Sequence, residues 1–280
     1  MKVIESVTEM QSDAESLRID GKTIGLVPTM GFLHEGHISL IQTARKSCDR
    51  LVVSVFVNPV QFGPQEDFER YPRNFERDRR LLEARNVDIM FHPDSVQMYP
   101  EKQKTYVITE NLAEKLCGIT RPGHFRGVTT VVAKLFNIIR PHMAVFGQKD
   151  AQQALILKKM VKDLNFDIRI IISPTVREPD GLAMSSRNQY LSAAERQAAP
   201  VIYRTLASAQ DMIRQGRRSG EEIGRYIREA IDKTPHLRVE YVSLVDQENL
   251  DPVIEIVSGT LIATAVYCGT TRLIDNIIVT

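Results

Sequence analysis

The fold of this chain is decided by the stretch Gly25-Leu26-Val27-Pro28-Thr29-Met30-Gly31-Phe32-Leu33-His34-Glu35-Gly36-His37-Ile38-Ser39-Leu40. The apolar run at 24–27 is typical of a buried strand, and Pro28 and Gly31 end it. From Ile38 onward the apolar residues recur at the spacing of a helix. The stretch therefore predicts a strand, a tight turn and the start of a helix.

Two histidines in this turn indicate a phosphate-binding site. His34 and His37 are three residues apart, so one turn of helix places both rings on the same side. Gly36 between them lets a bulky planar group lie against the backbone. A helix N-terminus adds free N–H groups and the positive end of the helix dipole. We therefore predict that this turn binds the phosphate oxygens of a nucleotide.

Three alternative roles for the turn stay open on these residues alone. The histidines could bind zinc, although their spacing is one residue shorter than His-Glu-x-x-His and no cysteine cluster lies nearby in the sequence. They could simply cap the helix. The turn could also belong to a dinucleotide-binding unit, but that fingerprint, Gly-x-Gly-x-x-Gly, is absent from this stretch.

The composition is ordinary for a soluble globular protein. The 280 residues are 43% hydrophobic and 25% charged, and the net charge of +1 does not indicate binding to nucleic acid or to an anionic membrane. This length predicts one large domain or two modest ones. The three cysteines are far apart, which favours a reducing compartment and excludes a disulfide framework. No stretch approaches the roughly 20 apolar residues of a membrane span, and the first residues show no signal-peptide run. We therefore expect a cytoplasmic protein.

Strand and helix patterns alternate through the first part of the chain. Strands are predicted at 24–27, 52–57, 87–91, 143–146 and 167–172, and helices at 37–48, 72–86, 127–140 and 150–164. This alternation predicts a parallel sheet with crossover helices, and the nearly continuous apolar runs fit strands that are covered on both faces. In such a sheet, ligands bind beyond the carboxyl ends of the strands.

The pattern changes after about residue 174, where prolines and a glycine predict a loop. Helices are then predicted at 192–215 and 219–232, and strands at 237–245, 261–267 and 272–279. Ser192 and Glu195 form the capping box that begins the first of these helices. We predict a first domain over 1–176 and a smaller α+β domain over 177–280.

Polar residues follow the ends of two more predicted strands. Asn58-Pro59-Val60-Gln61-Phe62-Gly63 offers amides that suit a small polar ligand, although such turns also occur without any function. Further along, Gly147 permits close approach of a ligand, and Lys149 can neutralise phosphate charge. Asp150 suits either a helix cap or a water-mediated contact to Mg²⁺. Gln153 lies one helical turn further on the same face.

Two further loops carry groups that suit phosphate chemistry. Met184-Ser185-Ser186-Arg187-Asn188 supplies hydroxyls and a guanidinium that could stabilise a leaving pyrophosphate, unless it is simply an exposed polar loop. Gly118-Ile119-Thr120-Arg121-Pro122-Gly123-His124-Phe125-Arg126-Gly127 predicts a mobile lid that brings positive charge, or else an ordinary surface loop.

Taken together, these motifs closely resemble the pantothenate synthetase (pantoate–β-alanine ligase) family. The resemblance rests on five stretches: Pro28–His37, Asn58–Phe62, Arg121–Gly127, Gly147–Gln153 and Met184–Asn188. It extends in register from about residue 24 to 196, and the ending Thr271–Asn276 also looks family-like. The His-x-Gly-His element is shared with nucleotidylyltransferases and class I aminoacyl-tRNA synthetases, but the combination is highly specific.

The resemblance implies a Rossmann-like parallel sheet with helices on both faces, of the class I nucleotidyltransferase type, together with a smaller C-terminal lid domain and a homodimer. It implies that pantoate attacks the α-phosphate of ATP to give pantoyl adenylate and pyrophosphate. The amine of β-alanine would then displace AMP. Mg²⁺ would accompany ATP, and the resemblance implies no metal site formed by the protein alone.

The resemblance also implies roles for individual residues. It implies catalytic roles for His34, His37, Lys149 and Arg187, with His37 the expected proton donor. It implies that pantoate and β-alanine are bound by Asn58, Gln61 and Gln153. ATP binding goes to Met30, Gly31, Phe32, Leu33, His34, Glu35, Gly36, His37, Gly147, Gln148, Lys149, Asp150, Val176, Met184, Ser185, Ser186 and Arg187.

Two other functions could use the same turn. A nucleotidylyltransferase would transfer a nucleotide to a phosphorylated acceptor, and a non-catalytic nucleotide sensor would bind without reaction. Formation of AMP from ATP, pantoate and β-alanine separates the ligase from both. A class I tRNA synthetase is disfavoured because the sequence shows no basic tRNA-binding module.

Overall fold

The structure is a computed structural model that describes residues 1–64 and 66–280. Contacts among these residues divide the chain into two compact units. The first comprises Met1–Glu114, Gly118–Gly147 and Ile156–Pro174, and the second comprises Lys115–Cys117, Gln148–Leu155 and Thr175–Thr280. Two short early segments thus belong to the second unit, and the sequence-based domain limits at residues 176 and 177 stay a prediction.

The first unit contains a six-stranded parallel sheet with strand order β1-β4-β3-β2-β5-β6. Its strands are β1 (Lys2–Ile4), β2 (Ile24–Thr29), β3 (Arg50–Val55), β4 (Ile89–Phe91), β5 (Met143–Gly147) and β6 (Arg169–Ser173). From β2 the chain proceeds outward through β3 and β4 on one side and through β5 and β6 on the other. The order therefore reverses between β2 and β5, and ligands of such sheets bind outside the strand ends at this point.

Helices alternate with the strands along the chain, as the sequence pattern predicts. They are α1 (Val7–Ile19), α2 (Glu35–Arg45), α3 (Phe75–Glu83), α4 (Ser95–Met98), α5 (Cys117–Thr120), α6 (His124–Ile139) and α7 (Ala151–Asp163). The core joins Val27, Val53 and Val145 of the central strands to Ile41 of α2, and all four are fully buried. The predicted α/β class with a parallel sheet and helices on both faces is confirmed. No helix in the part of the chain that the structure describes is both long and apolar enough to span a membrane.

The ends of several elements differ from the prediction. β1 was not predicted, because three residues are too few to show a periodic pattern. The predicted helix 127–140 begins three residues earlier, at His124, after Gly123 with φ of 81°. Gly127 therefore lies inside α6 rather than at its start. The predicted helix 72–86 is shorter and begins after Asn74, whose side chain accepts a hydrogen bond from Arg77 N.

The second unit contains an antiparallel sheet of β7 (Leu237–Val245), β8 (Leu261–Cys268) and β9 (Thr271–Ile278), as well as α8 (Ala193–Ala198), α9 (Val201–Arg214) and α10 (Gly220–Asp232). Leu206 of α9, Ile227 of α10 and Val266 of β8 belong to one cluster of buried core residues. The smaller α+β domain is thus confirmed. One long helix over 192–215 was a wrong prediction, because Pro200, which has no N–H to donate, lies between α8 and α9. The capping box at Ser192 and Glu195 is present.

Candidate active site

His34 and His37 form a reciprocal cap at the N-terminus of α2. His34 Nδ1 accepts a hydrogen bond from Gly36 N at 3.1 Å, and His37 Nδ1 accepts one from His34 N at 3.3 Å. The ring centroids are 4.0 Å apart. Because Nδ1 of each ring is an acceptor, the neutral form of each ring carries its proton on Nε2. Capping is therefore compatible with a phosphate-binding role, since it makes Nε2–H of each ring a donor.

The turn that leads to these histidines is held by a buried carboxylate that the sequence motifs do not include. Asp78 of α3 is 1% exposed, and it accepts hydrogen bonds from Phe32 N at 2.7 Å and Leu33 N at 2.8 Å. Gly31 and Phe32 have φ of 82° and 48°, and a Cβ on Gly31 would lie 3.0 Å from Asp78 Oδ2. Burial raises the pKa of the Asp78 carboxyl even though the two N–H groups oppose this. Asp78 therefore fixes the backbone of the turn.

A cavity of about 550 Å³ lies beside the same turn. Met30 and Gly31 line it, and Arg73, Asp78 and His92 contribute polar groups. Its volume falls in the usual range for small-ligand pockets. No local pattern in the sequence indicates this cavity, because its walls come from the ends of several separate strands.

The loop Asn58–Gln61 follows β3 in the first unit, and its two amide residues are buried. Asn58 is 1% exposed and Gln61 is 9% exposed. Asn58 Nδ2 donates to Gln61 Oε1 at 3.1 Å, and Gln61 Nε2 donates to Met30 Sδ at 3.1 Å. The structure thus brings the predicted acid-binding amide Gln61 into contact with the predicted nucleotide-binding turn.

The segment predicted as a lid contacts both this loop and Glu66, which follows it in the chain. Arg121 binds the Glu66 carboxylate through Nε at 2.7 Å and Nη2 at 2.6 Å. His124 Nδ1 lies 2.8 Å from the carbonyl oxygen of Gln61 and therefore donates to it. These contacts make the segment a support of the Gln61 backbone within the first unit.

The turn after β5 carries the second predicted phosphate motif. A Cβ on Gly147 would meet only Leu40 Cδ2, at 3.9 Å, among the described residues, so glycine leaves space beside the strand end. Lys149 Nζ lies 3.8 Å from Asp150 Oδ1. Asn276 Nδ2 donates to the carbonyl oxygens of Gln148 at 2.9 Å and Lys149 at 3.0 Å, which fixes the backbone of this turn.

Two adjacent glutamines of α7 have different environments. Gln152 is 6% exposed, accepts a hydrogen bond from Cys117 N at 3.0 Å and donates to Lys115 O at 2.6 Å. Gln153 is half-buried. Gln152 therefore supports the second unit, and Gln153 is the one whose side chain suits the predicted ligand contact.

The predicted loop Met184–Asn188 is anchored within the second unit. Met184 N donates to Val176 O at 3.0 Å, so these two predicted nucleotide-site residues are paired. Ser185 Oγ accepts from Arg187 N at 3.2 Å and begins a short 3-10 helix. Asn188 Nδ2 donates to Glu178 Oε1 at 2.8 Å. The turn therefore holds Ser185, Ser186 and Arg187 in one short ordered stretch.

A zinc site at His34 and His37 finds no support in the geometry. Within residues 1–64 and 66–280, no group of three or more His, Cys, Asp or Glu side chains is placed to hold a metal ion. Structural and catalytic zinc sites need at least three protein ligands.

Comparison with known proteins gives matches over the whole chain. The family model for pantoate-beta-alanine ligase matches residues 2–278. A pantothenate synthetase of Thermotoga petrophila is 54% identical over 278 residues, which are 99% of this chain and 99% of the relative.

Solved structures agree with this family match. A pantothenate synthetase of Thermus thermophilus is 44% identical with a TM-score of 0.94, over 100% of this chain and 99% of the other. A pantoate-beta-alanine ligase of Francisella tularensis, complexed with beta-gamma ATP and beta-alanine, is 34% identical with a TM-score of 0.81, over 99% of this chain and 97% of the other.

Proposed function

We propose that this chain, which belongs to the pantoate-beta-alanine ligase family, joins pantoate to β-alanine through a pantoyl adenylate made from ATP. A carboxylate is a poor acyl donor, and adenylation gives it a good leaving group. The Francisella tularensis relative is complexed with beta-gamma ATP and beta-alanine, which supports ATP as the co-substrate here.

The first step transfers AMP to the acid. A carboxylate oxygen of pantoate attacks the α-phosphorus of ATP, the bond from that phosphorus to the bridging oxygen breaks, and pyrophosphate leaves with the electron pair. In the second step the amine of β-alanine attacks the acyl carbon, a C–N bond forms, AMP leaves with the C–O electrons, and the nitrogen loses a proton. Both steps require aligned reactants and donors aimed at developing negative charge.

The observation that carries this proposal is the pair of imidazoles at the N-terminus of α2. Their Nδ1 atoms accept from backbone N–H groups, so Nε2–H of each ring is a donor, and the rings are 4.0 Å apart. The helix terminus adds partial positive charge. His34 and His37 would bind phosphate oxygens of ATP, and His37 would be the proton donor.

Lys149 and Arg187 are the further positive charges that the proposal assigns to phosphate binding. Lys149 and Arg187 would stabilise the leaving pyrophosphate, together with the hydroxyls of Ser185 and Ser186. Asn276 binds the carbonyl groups of Gln148 and Lys149, which supports a defined position for the Lys149 backbone.

Pantoate would be bound by neutral amides. Gln61 and Gln153 can hydrogen-bond a hydroxyl or a carboxylate, which suits a small branched acid with two hydroxyls. Gln61 is only 9% exposed, so a ligand bound to its amide would displace most of the water that can reach it.

Mg²⁺ would enter with ATP. Magnesium in nucleotide sites is usually held by one or two carboxylates and by the phosphates, with water completing the shell. Asp150, whose side chain is 48% exposed beside Lys149, would be such a carboxylate, holding the ion through water. The ion would neutralise phosphate charge.

Isotope exchange between ATP and labelled pyrophosphate tests the order of the steps. We expect exchange to require pantoate and to proceed without β-alanine, because the adenylate forms before the amine reacts. Exchange that absolutely requires β-alanine would contradict an adenylate intermediate.

The family resemblance also leads us to propose a homodimer in the cytoplasm. No disulfide joins any two of the three cysteines, all of which lie among the described residues, which fits a reducing compartment. Light scattering coupled to size-exclusion chromatography should give twice the chain mass of 31.7 kDa. A mass of one chain at assay concentration would contradict the dimer.

A further inference from the structure

The side chain of Gln61 belongs to a chain of buried and partly buried hydrogen bonds. Tyr99 Oη donates to Asn58 Oδ1 at 2.8 Å, Asn58 Nδ2 donates to Gln61 Oε1 at 3.1 Å, and Gln61 Nε2 donates to Met30 Sδ at 3.1 Å. Burial raises the pKa of the Tyr99 phenol well above its usual value, so this group stays a donor. Because every donor must face an acceptor, the donor or acceptor role of each group determines the role of the next group in the chain.

The direction of the Asn58 amide is fixed by backbone groups on both sides. Its Oδ1 accepts from Val60 N at 3.3 Å, and its Nδ2 donates to Gly127 O at 3.2 Å. A backbone N–H can only donate and a carbonyl can only accept. Exchanging the oxygen and nitrogen of this amide would create mismatches at both contacts, so Asn58 must present an N–H to Gln61.

This arrangement fixes the direction of the Gln61 amide as well. Its Oε1 is occupied by Asn58, so its Nε2 faces the turn at Met30. One Nε2 hydrogen is directed to a thioether sulfur, which is a weak acceptor. Among residues 1–64 and 66–280, this is the one hydrogen bond that Nε2 donates. A nearly buried donor without a full partner marks the position of a ligand acceptor.

The backbone of Gln61 is fixed by α6. A Cβ on Gly127 would lie 2.5 Å from Val60 O and 2.7 Å from Gln61 N. Glycine is unfavourable inside a helix, so this close approach gives the physical reason for its presence. His124 donates to Gln61 O at 2.8 Å from the same helix. The amide of Gln61 is thus fixed in position as well as in direction.

We propose that Asn58 is a positioning residue that holds Gln61 as a hydrogen-bond donor toward the acid substrate. The atom that accepts the hydrogen bond from Gln61 Nε2 is then an oxygen of pantoate and not the ammonium nitrogen of β-alanine, which can only donate. Asn58 itself does not contact the substrate, because all its polar atoms are occupied within the protein. The inference rests on the proposed function for the identity of the acid.

A double-mutant cycle with Asn58→Asp and Gln61→Met tests this. The aspartate side chain keeps the acceptor for Val60 N but removes the donor that faces Gln61, so the Gln61 amide turns over and presents its carbonyl oxygen. We expect Asn58→Asp and Gln61→Met each to raise KM for pantoate by about 10-fold or more. We expect KM for ATP to change less than about two-fold, and the double variant to match Gln61→Met alone.

Asn137→Asp is the matched control. Asn137 is exposed near the C-terminal end of α6 and takes no part in the hydrogen bonds that hold Asn58 and Gln61. Its kinetic constants should equal those of the wild type. If Asn58→Asp does not fold, Tyr99→Phe, which removes one donor to Asn58, should raise KM for pantoate but not for ATP.

Two results would overturn the inference. Additive effects in the double variant would mean that Asn58 acts on the substrate independently of Gln61. Equal increases in KM for pantoate and for ATP, in Asn58→Asp or in Tyr99→Phe, would mean a general structural role. A wild-type enzyme that forms no AMP from pantoate would instead refute the proposed function, which keeps the two failures distinct.

Discussion

The substitution Asp78→Asn tests whether the buried carboxylate of α3 organises the nucleotide-binding turn. Asp78 accepts one hydrogen bond at each oxygen, from Phe32 N and Leu33 N. Asparagine keeps the size of the side chain but replaces one oxygen with an NH₂ group, which then faces a backbone N–H. One charge-assisted bond is lost and two donors oppose each other.

The size of the effect follows from these two contacts. A hydrogen bond to a charged group contributes about 1.5–3 kcal/mol. If that free energy holds the turn in the conformation that binds ATP, kcat/KM for ATP should fall about 10- to 100-fold. Single-turnover formation of pyrophosphate from ATP and pantoate measures this, because it excludes the β-alanine step.

Asp88→Asn is the control for a general loss of stability. Asp88 also accepts a hydrogen bond from a backbone N–H, that of Leu51 at 2.7 Å. Leu51 lies near the N-terminal end of β3, whereas the nucleotide-binding turn follows the C-terminal end of the parallel strand β2. This variant should lose thermal stability and keep its pyrophosphate rate. If Asp78→Asn lost stability to the same extent and formed pyrophosphate at the wild-type rate, Asp78 would have only a structural role.

Three further predictions concern single residues. His37→Ala and Lys149→Ala should each slow adenylation about 100- to 1,000-fold, as expected for loss of one preorganised donor; a near wild-type rate in single turnover would refute the assigned role. Lys149→Ala should leave the melting temperature unchanged, whereas His37→Ala should lower it modestly because it removes a cap of α2. Gln153→Ala should raise KM for pantoate with little change in KM for ATP, and steady-state kinetics with each substrate varied in turn should show this; equal losses would place Gln153 in the nucleotide site or the fold. Burial alone would raise the pKa of Asp88, but the hydrogen bond from Leu51 N and the nearby arginines hold it below its usual value. The stability that Asp88 contributes is therefore complete above that usual pKa. The difference in the free energy of unfolding between wild type and Asp88→Asn, measured by urea denaturation, should become smaller as the pH falls below about 4. A difference that does not change with pH would contradict the pKa shift.

Local patterns in the sequence were sufficient for the central strands and for the histidine turn. β2 and β5 are buried almost throughout, so their apolar runs are continuous and easy to recognise. The helix after His34 begins at Glu35, two residues before the predicted start at residue 37. Pro200 also had a local signal, and a stricter use of proline as a helix breaker would have divided the predicted helix 192–215.

The supports of the site depend on contacts between residues that are far apart in the chain. Asp78 reaches Leu33 across 45 residues, and Asn276 reaches Gln148 across 128 residues. One signal for Asp78 was available, because it lies four residues before Leu82 on the buried face of α3. A carboxylate in such a position requires buried partners. Nothing in the local sequence identified those partners as the backbone N–H groups of the nucleotide-binding turn.

Direct detection of the intermediate is the measurement closest to the proposed mechanism. Enzyme in excess over α-labelled ATP is mixed with pantoate, without β-alanine, and the reaction is quenched rapidly and separated by chromatography. We expect one labelled pantoyl adenylate and one pyrophosphate for each ATP consumed, and conversion of that adenylate to AMP and pantothenate at least as fast as turnover once β-alanine is added. Pyrophosphate release that occurs only in the presence of β-alanine, with no adenylate at any time, would contradict the mechanism.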